Sequence, residues 1–232
     1  MLKIVCLAVT LALAVPSLAF AQSPASNKAF FAKYTDGITL ATVSGGASSE
    51  VTLFDIPQAL KTSNGGAVSA ILSMESVLWT YNLTTATVNG GKSSSSSRAA
   101  IKAWVEIDGV RMEPGLVVYA DRLQATGLTA NLFCNVTGSV TDLTCTVTGD
   151  IALELFQATK NANSFVFFQG PLRPIIHSVK VKAQGFIECR NSTGEVITCP
   201  STTLAGFENA STMAAIGKAT VLIEEQQNWG AK

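Results

Sequence analysis

Every Ser-His-Asp or Cys-His mechanism in this chain would have to run through His177, because the sequence contains one histidine. Strand-like alternation places His177 on the same face as Val179 and Val181, the setting of a packed structural imidazole. No G-x-S-x-G elbow, H-E-x-x-H pair, phosphate-binding loop or calcium loop accompanies it. Glycoside hydrolysis needs only two carboxyl groups at a set spatial separation, so sequence spacing does not exclude it. The densest acidic group is Glu106, Asp108, Glu113 and Asp121, which reads as solvent-facing strand and turn positions. No catalytic residue, metal ligand or cofactor is expected from these patterns.

Cysteine chemistry is decided by where the protein works. Lys3, the apolar run from Ile4 to Val15, and the small-residue ending Ala19-Phe20-Ala21 form a signal peptide over residues 1–21. The run is too short for a permanent span. Its compact ending is of bacterial type, which places the mature chain in the periplasm or outside the cell. Cys6 leaves with the signal, and Cys134, Cys145, Cys189 and Cys199 remain. An oxidising compartment and local spacing predict the bridges Cys134–Cys145 and Cys189–Cys199. Zinc would need closer cysteine pairs and more than one histidine.

Three aromatic residues are candidates for a contact surface: Trp79, Tyr81 and Trp104. Trp104 alternates with Lys102 and Glu106 on the polar side of its strand, so it must either be covered by another part of the chain or meet a partner. Exposed aromatics at such positions stack on sugars or anchor proteins. The sequence also carries four glycosylation sequons, at Asn82, Asn135, Asn191 and Asn209, which a bacterial source would leave unused.

Sixteen basic residues balance sixteen acidic ones and are scattered singly. The basic stripe of a nucleic-acid binder is absent, and no nucleic-acid partner is expected. Low charge with abundant Ser, Thr, Val and Ala is the composition of a secreted β-protein. Residues 22–35 read as an N-terminal segment with docking aromatics, 36–225 as one β-domain, and 226–232 as a polar tail.

Within that domain, strands are predicted at Ile38–Val43, Glu50–Ile56, Val68–Met74 and Val77–Val88. Pro57 should stop the second, with a short helical turn over Gln58–Lys61. The serine run Ser93–Ser97 reads as a solvated loop. The alternating segment Ile101–Ile107 follows it, and Asp108-Gly109 should turn tightly into Val110–Met112. Further strands are expected at Leu116–Ala120, Leu128–Asn135, Leu143–Val147, Ile151–Phe156 and Ser164–Phe168. The alternating run His177–Ala183 should pair antiparallel with Ser164–Phe168. Phe186–Cys189 and Val196–Cys199 should form a bridged hairpin, and Ile216–Ile223 the final strand.

Many short strands without helical periodicity predict an all-β, antiparallel β-sandwich or jelly roll. The closing strand–turn–strand arrangement resembles that of jelly-roll modules of the complement and tumour-necrosis-factor group, a resemblance that implies an antiparallel jelly roll and carries no shared motif. The functional expectation is a secreted, non-catalytic module that binds or assembles, with itself, another extracellular protein or a glycan as partner. The alternative is a secreted carbohydrate-active enzyme with two carboxylates.

Overall fold

A computed structural model describes residues 28–33, 38–41, 45–63, 66–86, 92–129, 151–201 and 211–226. Residues 1–21, expected to be a signal peptide, Cys134, Cys145 and the strand expected at Leu143–Val147 lie outside the described residues. Twelve strands are present, with no helix among the described residues: β1 (Lys28–Lys33), β2 (Ile38–Ala41), β3 (Gly46–Ala47), β4 (Val51–Lys61), β5 (Ala67–Ala86), β6 (Lys92–Ile107), β7 (Val110–Arg111), β8 (Val117–Thr129), β9 (Ile151–Gln169), β10 (Ile176–Arg190), β11 (Val196–Ile197) and β12 (Met213–Gln226). All pair antiparallel, in two sheets.

In the first sheet, β1 and β2 lie end to end along one side of β12, followed by β5 and β9. In the second, β4, β3 and β11 succeed one another along one side of β10, β6 lies on its other side, and β8 and β7 complete the order beyond β6. Alternation explains how the two sheets meet. Val68, Ala70, Leu72 and Met74 of β5 point inward, as do Ile101, Ala103, Val105 and Ile107 of β6 and Val179, Val181 and Ala183 of β10, all in one buried cluster. Each large member contributes about 1.5–3 kcal/mol through burial of its apolar surface.

Several expected boundaries move. Pro57 does not end β4, because β4 is an edge strand whose ladder with β10 shifts register between Ile56 and Leu60. Proline is tolerated at such an edge bulge, where it need not donate to the ladder. Gln58–Lys61 is therefore strand rather than helical turn. Val68–Met74 and Val77–Val88 are joined in the continuous β5, and Ile151–Phe156 and Ser164–Phe168 in the continuous β9, which pairs with β5 along its whole length. The segment Ser164–Phe168 consequently pairs in the first sheet, while the His177 strand pairs with β4 and β6 in the second.

The serine run is also strand, not loop. At this end the space between the sheets is polar, so inward hydroxyls are useful there. Thr84 hydrogen-bonds Ser95 (2.7 Å), Asn82 Nδ2 donates to the Gln124 carbonyl (3.0 Å) and Thr126 Oγ1 (3.1 Å), and Thr80 donates to Gln124. Backbone pairing with β8 and β10 then fixes Ser96 and Ser97 on both sides.

The Asp108-Gly109 turn forms as expected, with positive φ at both residues (50° and 80°). The hairpin linking β10 to β11 is closed by Cys189–Cys199, whose Cα atoms are 5.2 Å apart.

Candidate functional site

The sequence candidates separate into two groups once their neighbours are known. The first consists of groups consumed by structure. His177 is 1% exposed. Its Nδ1–H donates to Asp108 Oδ2 (2.6 Å), and Nε2 lies 2.8 Å from Thr62 Oγ1 and 3.0 Å from the Arg173 carbonyl. A carboxylate, imidazole and hydroxyl in line have the order of a nucleophile relay. Thr62, however, is buried and gives its proton to the Arg173 carbonyl (2.6 Å). The group is a latch joining the end of β4, the turn after β6 and the segment before β10. Asp108 also accepts from the Ser178 amide (2.9 Å) and hydroxyl. Burial pushes the Asp108 carboxyl up, but hydrogen bonds from His177 and Ser178 outweigh it and hold it below its usual value.

The other carboxylates are similarly engaged. Glu106 accepts from Trp104 Nε1 (2.9 Å) and pairs with Lys182 (3.0 Å). Burial raises its pKa, and these two donors lower it by more. Asp121 receives Arg98 through two nitrogens. The exception is Glu113, whose backbone bridges to Phe168 while its side chain stays exposed. Among the described residues no three His, Cys, Asp or Glu side chains are placed to hold a metal ion.

Trp104 belongs to this group as well. It faces away from the core, as its alternation predicts, yet is 1% exposed. The Arg111 guanidinium lies 4.8 Å above its ring, and Glu106 and Lys182 close over its side. Long charged side chains supply the cover. Tyr81 is buried too, with its amide donating to Thr212 Oγ1 (3.2 Å). Neither residue offers a contact surface. Asn82 is equally buried, so its sequon is inaccessible in the folded chain.

The second group lies on the outer face of the first sheet, where Trp79 is partly exposed. The register explains a hollow there. One row of outward residues runs Lys160 (β9), Val77 (β5), Ala215 (β12), Thr39 (β2), with short side chains in its centre. The neighbouring row places Trp79 beside Met213. On the other side, β12 shifts register between Ile216 and Ala219, so Gly217 and Lys218 bulge opposite Glu75. Tall walls around a low floor leave a hollow of about 360 Å³ lined by these residues.

Its rim is held in place. Glu75 pairs with Lys160 (3.1 Å) and accepts from the Lys218 amide (3.4 Å). The Lys160 hydrogen bond, followed by the Lys218 amide, keeps the Glu75 carboxyl below its usual pKa, so it is ionised at neutral pH. A Cβ at Gly217 would lie 2.7 Å from Glu75 Oε2 and 3.2 Å from Glu75 Cβ, so glycine there lets the carboxylate keep its place at the rim. Trp79 is braced edge-on by Phe156, with centroids 5.8 Å apart.

Beneath this rim, Tyr119 of β8 reaches across the core. Its hydroxyl receives the Met74 amide (2.6 Å) and donates to the Asn163 carbonyl, which ties the second sheet to the β5–β9 pair one residue from Glu75. Burial pushes the Tyr119 phenol up to about 12, so it remains a donor at all ordinary pH values. Sequence reasoning singled out Trp79 but missed Glu75, Lys160 and Gly217, whose convergence depends on a bulge that composition does not announce.

No protein-family model matches this chain, and no curated protein is similar to it. Among the described residues no helix is long and apolar enough to cross a membrane.

Proposed function

We propose that this chain is an exported, non-catalytic jelly-roll protein that works by binding a partner through the outer face of its first sheet. The strand order supports the fold reading. With β1 and β2 counted as one edge position and β3, β7 and β11 as short additions, the described residues give eight positions, four in each sheet. The chain changes sheet at every step except from β6 to β8, the order of two interlocked Greek keys. The signal sequence supports export, and the Cys189–Cys199 bridge fits an oxidising compartment.

The observation that carries the binding reading is the contrast between the two outer faces. The second sheet presents mutually satisfied ions, Lys180 with Asp55, Lys182 with Glu50 and Glu106, Arg98 with Asp121, and Arg190 with Glu188, beside the exposed Leu123 and Val118. Its own hollow of about 600 Å³ is walled by Arg98, Asp121, Glu188 and Arg190, with no aromatic side chain in its lining. The first presents Trp79 beside a formed hollow, the combination of aromatic wall and few placed polar groups that suits recognition.

Hydroxyl-radical footprinting tests this on the protein as its own cells export it, compared with the dilute purified chain. Trp79 and Met213 should be oxidised several-fold less in place than in isolation. Leu123 and Val118, exposed on β8 of the second sheet, should be labelled equally in both. Equal oxidation of Trp79 in the two states would overturn the proposal.

A further inference from the structure

We infer that the hollow beside Trp79 takes a single pyranose ring of a polysaccharide, an inference that rests on the reading of this face as a binding surface. A sugar ring is amphipathic in a particular way, with axial C–H bonds on its flat face and hydroxyls around its rim. The hollow has the complementary distribution. Trp79 supplies a π face that attracts C–H bonds, and Val77, Ala215 and Met213 give an aliphatic floor and flank. The polar groups stand at the rim and include both kinds of partner. Ionised Glu75 accepts from hydroxyls, Lys160 donates to them, and Thr39 does either.

Size narrows the occupant. About 360 Å³ is near the lower end of the range for small-ligand sites, which suits one ring and does not suit a helix or a folded partner's apolar anchor cluster. Direction identifies a polymer rather than a free sugar. The row Lys160, Val77, Ala215, Thr39 runs across four strands, so a glycan chain lying along it would cross Lys160 at one end and Thr39 at the other, each able to hydrogen-bond an adjoining sugar of the polymer. The groups around the hollow also hold one another, through the Glu75–Lys160 pair, the bulge at Gly217 and the Phe156 contact with Trp79, which limits the side-chain ordering that binding must add.

Affinity electrophoresis of the mature protein through gels containing neutral, amino-sugar and uronic-acid polysaccharides, one polymer per gel, tests the inference. At least one polymer should retard the chain. Against that polymer, Trp79→Ala should weaken binding by roughly tenfold or more, while Trp79→Phe, which keeps an aromatic face, should stay within about threefold. Gly217→Ala should also weaken it, because the new Cβ displaces the Glu75 carboxylate. Each variant's unfolding midpoint separates lost binding from lost fold.

The three gels also separate the sources. Retardation only by the uronic-acid polymer would assign the ring to an acidic glycan held by Lys160, and retardation by the neutral polymer to stacking and hydroxyl contacts. Silence across all three classes, or a retardation that Trp79→Ala leaves unchanged, overturns the inference. If Trp79 is nevertheless protected in the footprint on cells, the binding face stands and only its ligand class is wrong.

Discussion

Replacing His177 with Gln separates a structural latch from a catalytic imidazole, and the expected loss can be worked from its contacts. The variant removes the bond to Asp108 Oδ2 and the contacts of Nε2 with Thr62 and Arg173. A hydrogen bond to a charged group contributes about 1.5–3 kcal/mol. Two features reduce the loss here. The Asp108 side chain is 42% exposed and keeps its bonds from Ser178, and Thr62 keeps its bond to the Arg173 carbonyl. The net destabilisation should be about 2 kcal/mol, which shifts a urea midpoint by about 1 M at the slopes usual for small domains. A double-mutant cycle with Asp108→Asn should give a coupling of about 1 kcal/mol.

The pH dependence supplies a second signature. Because the Asp108 carboxyl is held below its usual value in the folded chain, its contribution is complete above the unfolded carboxylate value of about 3.9 and is lost as pH falls through the depressed folded value. The stability gap between wild type and His177→Gln should therefore be full at pH 5 and shrink at lower pH. An unchanged midpoint, or a gap that persists undiminished at pH 2, would refute the latch.

Two further substitutions test the interior. Ser97 Oγ is buried with no hydrogen-bond partner among the described residues, so Ser97→Ala should raise stability by about 1 kcal/mol in urea unfolding, and a comparable loss would show that the hydroxyl is satisfied in solution. Gly185 of β10 lies where β2 crosses it, and an added Cβ would meet Leu40 Cβ at 2.7 Å and Ala41 Cβ at 2.8 Å. Gly185→Ala should cost about 1–3 kcal/mol, and a neutral result would mean that β2 does not pack there.

How much of this was legible in the sequence depended on whether a signal was local. The Asp108-Gly109 turn, the bridged hairpin at Cys189–Cys199 and the alternation of β6 and β10 depend on residues close in the chain, and all were readable. The lengths of β5, β6 and β9 were not. Glu75 and Ser76 look like an interruption of β5, but β12 absorbs Glu75 with the bulge at Gly217 and Lys218, so the strand continues. The polar run Gln157–Asn163 has weak strand propensity, yet every residue has a register partner on β5. Five serines resemble a linker because their tertiary partners, Thr84 and the neighbouring strands β8 and β10, are distant in sequence.

The same distinction explains the aromatic candidates. Parity correctly put Trp104 on the outer side of its strand, but exposure is a property of neighbours rather than of facing. Its neighbours across the sheet are Lys182 and, through the hairpin, Arg111, long side chains that lie down over an indole. Trp79 has Ala158 on one side and Met213 on the other, with Ala215 diagonal to it, and such short or flexible neighbours leave part of its ring open. A strand sequence specifies which way a tryptophan points. The two strands beside it decide whether anything is left to bind.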